Sequence, residues 1–180
     1  MMKKTLLILS ITLITGAMAL AQEPEEKIKV KWYTIEEAIE LNEDVPKKIM
    51  IDVYTDWCGW CKKMDKSTFG HPVIAEYLNE NFYPVKFNAE SNKPVNFGGQ
   101  TFVNENTGPR STHQFAIALL QGKLSYPSIA YLNENLELLA AIPGYQTPEK
   151  IEPLLNYISA EKYKSITLEE YQKNFESQID

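Results

Sequence analysis

Residues 51–64 read IDVYTDWCGWCKKM, and within them Trp57-Cys58-Gly59-Trp60-Cys61 holds both cysteines of the 180-residue chain. Upstream, Ile49 to Tyr54 is a β-branched, apolar run of strand length. Downstream, Lys62, Lys63, Met64 and Asp65 continue without glycine or proline, as a helix does. The pair therefore falls where a strand turns into a helix. At such a turn Cys58 occupies the helix N-terminus, where unpaired backbone N–H groups and the macrodipole favour a thiolate. Cys61 follows one turn later on the same side, within disulfide reach. This placement predicts an exposed, acidic, nucleophilic Cys58 and a more buried Cys61 that attacks second.

The whole chain sets the context for those thiols. A hydrophobic content of 44% and 11% aromatics supply one well-buried core, so a single domain is expected. The net charge is -6, with acidic and basic residues mixed along the chain, which leaves no electrostatic footprint for nucleic acid. Lys3 and Lys4, a largely apolar Leu6 to Leu20 and the small-x-small Ala19-Leu20-Ala21 form a secretory signal at residues 1–21, cleaved after Ala21. The alternative is an uncleaved membrane anchor, but the apolar stretch is short and diluted by Ser10, Thr12 and Thr15. Loss of Lys3 and Lys4 takes the charge from -6 to -8.

Export changes what two cysteines mean, because thiols outside the cytoplasm oxidise unless something keeps them reduced. A bridge across two residues closes too short a loop to stabilise a fold much. Zinc normally takes four ligands, and the remaining candidates, His71 and His113, stand at no matching spacing; copper delivery meets the same objection. Redox chemistry is favoured, with a metal site and a structural bridge left as alternatives.

The same stretch, with residues spaced beyond it, resembles the thioredoxin superfamily over roughly residues 49–159. The resemblance implies an α/β thioredoxin-like fold, a central mixed sheet flanked by helices, with an insertion before a cis-proline strand. Asp52, six residues before Cys58, stands where the family keeps a buried acid that assists proton transfer at the second cysteine. Lys86, in FYPVKFNAE, stands where the family often has a lysine near that acid. Tyr126-Pro127 looks like the cis-proline facing the active-site disulfide. Trp57 matches the family, while Trp60 departs from it.

Each position also has a plainer reading. Asp52 could face solvent, but Ile51 and Val53 belong to a run that reads as buried on both faces, where a carboxylate is expected to have a raised pKa. Lys86 could be an ordinary edge lysine, and Pro127 a proline opening a strand. Trp57 and Trp60 could be packing, or with Tyr126 a platform for an incoming polypeptide.

The implied activity is protein-disulfide oxidoreduction at Cys58 and Cys61, aided by Asp52, Lys86 and Pro127, with no bound cofactor or metal. The Gly-Trp between the cysteines is neither the Gly-Pro of reducing thioredoxins nor the Pro-His or Gly-His of oxidants and isomerases, so the motif leaves the direction of electron flow open. The flanking sequence and the export signal resemble periplasmic thioredoxin-like reductases, including the thioredoxin-like domain of transmembrane thiol:disulfide interchange proteins. That likeness implies a reductant of exported proteins. Oxidase or isomerase activity and a redox-inert binding module are the alternatives. The chain has no Gly-x-Gly-x-x-Gly turn for a nicotinamide or flavin, so a membrane or soluble thiol reductase is expected as electron donor. No feature specifies an oligomeric state.

Around this centre, Thr34 with Glu37 predicts a capping box opening a helix to about Asn42, and Pro72 opens another to about Asn79. Ser111 with Gln114 predicts a third box before FAIALLQ, stopped at Gly122. Thr147-Pro148 begins a closing helix whose start Pro153 makes ambiguous. Thr167 with Glu170 caps a short helix in an extension over about 160–180, beyond a core of about 30–159. Residues 89–110 form the insertion, in which apolar runs on both sides of Gly98-Gly99 suggest a small hairpin. Phe97 and Phe102 motivate a flap beside the active site that contacts the partner protein; a mobile surface loop is the alternative.

Overall fold

The computed structural model describes residues 28–179, so the expected export signal and its expected cleavage site lie outside the described residues. The elements in chain order are α1 (Ile35–Asp44), β1 (Lys48–Tyr54), α2 (Gly59–Ser67), α3 (Pro72–Asn81), β2 (Phe82–Asn88), β3 (Val95–Phe97), β4 (Gln100–Phe102), α4 (Gln114–Leu119), β5 (Ser128–Leu132), β6 (Leu138–Pro143), α5 (Pro148–Ser159) and α6 (Leu168–Lys173). The main sheet has the order β2-β1-β5-β6, parallel between β1 and β2 and antiparallel elsewhere.

The apolar run of β1 is explained by its central place: it has a strand on either side and a helical layer over each face. Side chains alternate across a strand, so Ile49, Ile51 and Val53 join α1 and α4, through Ile35, Ala38, Phe115 and Leu119. Met50 points the other way, into a core built from Met64 of α2, Ile74 and Leu78 of α3, and Ile151 and Leu155 of α5. Asp52 shares the parity of Met50. It therefore lies on the face that α2 covers, opposite Lys86 of β2 and Ile129 of β5 in register.

Beyond β2, Tyr33 makes a single parallel bridge to Val85: its N–H donates to the Pro84 carbonyl at 2.9 Å and its carbonyl accepts from Lys86 at 3.3 Å. These bonds show that the backbone of residues 84 and 86 faces the outer edge. Pro84, which has no N–H, is tolerated inside a strand for that reason.

The capping boxes at Thr34/Glu37 and Thr167/Glu170 form as expected, and Pro72 and Pro148 open α3 and α5, the latter continuing through Pro153. The Ser111/Gln114 box does not form. The cap of α4 is His113, whose backbone N–H is drawn to the Ala89 carbonyl at 2.7 Å and whose Nδ1 accepts from the Phe115 N–H at 3.0 Å. Gln114 is thus the first helical residue, and its Oε1 accepts from the Val103 N–H instead. The helix ends a little before Gly122, because Gln121 already turns left-handed.

Residues 95–102 form the expected hairpin. Gly98 and Gly99 have φ of 58° and 75°, the two positive values a tight two-residue turn requires and that glycine adopts without a Cβ clash. The flap reading is corrected at its aromatics. Val95 is buried, and Phe97 and Phe102, half-buried, lie with ring centroids 5.2 and 5.6 Å from Phe115, so both rings pack against the core. Burying apolar area of that size outweighs leaving it in water, and the segment is a docked hairpin rather than a bare loop.

At the other end, α6 packs on α5, and the chain folds back so that the Gln178 N–H (2.7 Å) and the Ser177 hydroxyl bond the buried Glu152 carboxylate.

Phe115 also meets Phe87 at 5.2 Å and joins hairpin, helix and sheet. Phe115→Ala is expected to cost about 3–5 kcal/mol in urea unfolding and to speed amide exchange across residues 95–102. Exchange that stays at the wild-type rate there would show that the hairpin does not depend on this ring.

Candidate active site

Cys58 is the N-cap of α2, and Cys61 lies in its first turn. The two are joined in a disulfide with Cα atoms 5.3 Å apart. The Cys61 N–H donates to Cys58 Sγ at 3.1 Å, so an unpaired N–H at the head of the helix points at the sulfur. This is the electrostatic setting that favours a thiolate in the reduced state. The expected contrast in exposure is not found in the disulfide state: Cys58 is 4% exposed and Cys61 1%.

Asp52 and Lys86 are brought together. Lys86 Nζ donates to Asp52 Oδ2 at 2.6 Å and also to Asp65 Oδ1, while Asp52 Oδ1 is buried without a hydrogen-bond partner. Burial pushes the Asp52 carboxyl up from 3.8 to about 6, and Lys86 offsets part of that rise. For Lys86, burial opposes the charge, but Asp52 and Asp65 outweigh it and hold the ammonium above the ordinary lysine range. Its Nζ also lies 4.9, 5.0 and 5.6 Å from the ring centroids of Tyr54, Trp32 and Phe69. The edge-lysine reading does not hold.

The Tyr126–Pro127 bond is cis, and the Gly144 N–H donates to the Pro127 carbonyl at 2.8 Å. Trp57 and Trp60 are 50% and 57% exposed. Trp57 meets Tyr126 edge-on at 6.2 Å, and Trp60 tilts against Tyr145 at 5.3 Å. Trp60, Tyr126, Pro127, Gly144 and Tyr145 line one groove. Of the two histidines, His113 caps α4 in full burial and His71 precedes α3.

Four neighbours of the site were not singled out in the sequence. Asp65 could have been found, since it lies four residues after Cys61 on the same helix face. Glu90, Arg110 and Tyr145 carry no comparable signal, because distant loops bring them in.

The family model of the thioredoxin-like domain matches residues 35–159. The chain belongs to the thioredoxin-like family. Among curated proteins it is 30% identical over 87 residues to thiol:disulfide interchange protein DsbD of Haemophilus influenzae, a match covering 47% of this chain but 15% of that protein. It spans 6–11% of the length of other curated relatives. Among solved structures, a thioredoxin-fold protein from Helicobacter pylori aligns with TM-score 0.56 and 18% identity, over 77% of this chain and 96% of that one. A thioredoxin from Thermus thermophilus aligns with TM-score 0.55 and 13% identity, over 74% and 89%. These two show the fold.

The raised Asp52 pKa has a consequence for stability. Between pH 3.8 and about 6 the folded state keeps a proton that the unfolded chain has lost, so stability from this group is full at the low end and lost as pH rises through 6. Asp52→Asn does not titrate. Its stability relative to wild type is therefore expected to rise by on the order of 2–3 kcal/mol between pH about 3.5 and 7, measured by denaturant unfolding of the disulfide forms. A difference that is flat with pH would contradict the assigned burial effect.

Proposed function

We propose that the protein is a thiol-disulfide oxidoreductase that reduces disulfides of exported proteins in the periplasm, with residues 1–21 as the export signal, 22–180 as the mature thioredoxin-like chain, and 89–110 as an insertion in it. One observation carries the reading: the Cys58–Cys61 pair caps α2 on the sheet face that holds Asp52, a buried carboxyl whose pKa is about 6. A thiolate-stabilising helix end and an acid able to take or give a proton near neutral pH are what exchange between dithiol and disulfide requires. Similarity to part of the thiol:disulfide interchange proteins supports exchange between dithiols and disulfides; the reductive direction and the periplasmic setting rest on the resemblance of the flanking sequence and on the expected export signal. No described helix is long and apolar enough to cross a membrane.

In the dithiol form, the Cys58 thiolate attacks one sulfur of the substrate disulfide. The substrate S–S bond breaks, a mixed disulfide forms, and the departing sulfur leaves as a thiolate that water protonates. Cys61 then gives its proton to Asp52, through water, and attacks Cys58 Sγ. This re-forms the intramolecular bond and frees the second substrate sulfur, so two electrons pass from the pair to the substrate. Lys86 keeps Asp52 ionised and ready to accept. Trp57, Trp60, Tyr126 and Pro127 seat the polypeptide. An outside dithiol reductase, membrane-bound or soluble, returns the two electrons, and Asp52 returns the proton to Cys61.

Cys58→Ser is expected to abolish turnover, and Cys61→Ser to accumulate the mixed disulfide, seen as a thiol-sensitive adduct on non-reducing gels. The reduction potential, equilibrated against thiol buffers and read by alkylation, is expected near or below about -250 mV. A value above about -180 mV would reassign the pair to disulfide formation or isomerisation. Full activity in either serine variant would remove the mechanism.

A further inference from the structure

Both tryptophans beside the disulfide carry a cation on the ring face. Arg110, the only arginine in the chain, has its guanidinium carbon 4.7 Å from the Trp57 ring centroid. Lys63 Nζ lies 4.8 Å from the Trp60 centroid and 5.2 Å from that of Tyr145. Trp57 is also held at its indole nitrogen, which donates to Glu90 Oε1 at 2.8 Å. Exposed Lys62 and Lys66 stand with Lys63 along α2 and line a groove with Gly59 and Ser67.

The charges on this face do not cancel. Among the described residues, none of Arg110, Lys62, Lys63 and Lys66 has a carboxylate within ion-pair distance. The carboxylates nearby are Asp56, bonded by the Asn88 amide at 3.0 Å, Glu90 on the Trp57 indole, and Asp52 and Asp65, both held by Lys86. One lysine offsets only one of Asp52 and Asp65, so the five cations and four carboxylates named here keep one net positive charge, in a chain whose net charge is -6. Of the four cations without a carboxylate partner, Arg110 and Lys63 stand on the two tryptophans that flank the cysteine pair.

We infer that this surface selects acidic polypeptide segments: the preferred substrate carries Asp or Glu close to its disulfide. The inference rests on the reading of Cys58–Cys61 as the reactive pair and adds the substrate class. The extended segment lies in the groove between Trp60 and the Tyr126–Pro127 turn, and its carboxylates meet Arg110 on one side and Lys63 on the other. A guanidinium held on an indole face, with no carboxylate partner of its own, has N–H donors to offer an incoming carboxylate. Charges at a rim act mainly by steering encounter and rejecting like-charged partners, so the preference belongs in the rate of attack and depends on salt.

The test uses two peptides, each closed by one disulfide and identical except that the residues flanking the cysteines are Glu in one and Lys in the other. The dithiol form of the protein reduces each, and thiol release is followed. At low ionic strength the acidic peptide is expected to react roughly tenfold faster, with the ratio falling toward one at about 0.5 M salt. Arg110→Gln with Lys63→Gln is expected to collapse the ratio, and Arg110→Lys to retain part of it. Equal wild-type rates at low salt, or a ratio unmoved in the double variant, overturn the assignment. Bis(2-hydroxyethyl) disulfide, small and uncharged, separates the two levels. If the wild type reduces it while showing no peptide preference, only the acidic-substrate inference fails; if the wild type reduces neither it nor the peptides, the redox reading fails and the inference with it.

Discussion

An ionisable carboxyl at 0% exposure in the middle of the central strand is costly, and most of the site can be read as the arrangement that tolerates it. Lys86 supplies one hydrogen bond, leaving Asp52 Oδ1 unpartnered. Full pairing would hold the carboxyl ionised at low pH, and no pairing would keep it protonated well above neutrality. The half-paired state sets its pKa at about 6, within reach of both forms. The same lysine must itself be kept charged against its own burial, and Asp52 and then Asp65 on α2 do that, with three aromatic rings close to its ammonium. A single ammonium therefore links the sheet to the helix that carries the cysteines. Removing one partner of such a buried set leaves another charge uncompensated, which explains why acid, lysine and helix stand as one unit.

Strand parity places that unit. Because β1 is covered on both faces, its apolar side chains alone do not say which face is which; the core residues of α2, α3 and α5 around Met50 do, and Asp52 follows by alternation. Shifting the pairing of β1 by one residue would turn Asp52 toward α1 and α4 and away from the cysteine helix. Parallel pairing with β2 puts Lys86 opposite Asp52, and antiparallel pairing with β5 brings the Tyr126–Pro127 turn to the same end. The groove and the sulfurs come together through register, not through any local sequence feature.

What could be read from the sequence was local or carried by order along the chain. The Thr34 and Thr167 capping boxes need only residues three apart, and the Gly98-Gly99 turn needs only its own two φ values. The strand, Cys-x-x-Cys and helix succession is equally short-range, which is why the fold and the thiol pair were visible. Ser111 and Gln114 satisfy the same spacing rule, yet His113 takes the cap because Ala89, far back in the chain, binds its N–H. Phe97 and Phe102 look like exposed aromatics until Phe115 is known to lie beneath them. Cys58 reads as exposed from its helix position, yet it is 4% exposed. The misses at α4 and at the hairpin involve partners that spacing cannot identify.

The segment 89–110 shows how core packing can shape a site it does not enter. Its hairpin is anchored on Phe115, and the following residue pair, His113 and Gln114, ties back to Ala89 and Val103. Asn104 then joins the two ends of the segment: its amide donates to the Ser111 carbonyl at 2.7 Å and the Glu90 carbonyl at 3.4 Å. Glu90 and Arg110 are thereby both set against Trp57, one at the indole N–H and one on the ring face. An exposed tryptophan at a helix start would otherwise sample several rotamers, and an exposed arginine many more. Holding both in one geometry transfers that entropic cost from substrate binding to folding, where the apolar contacts of the hairpin offset it. The longer connection before the Tyr126–Pro127 turn thus fixes one wall of the groove, and with it the charge that an incoming segment meets first.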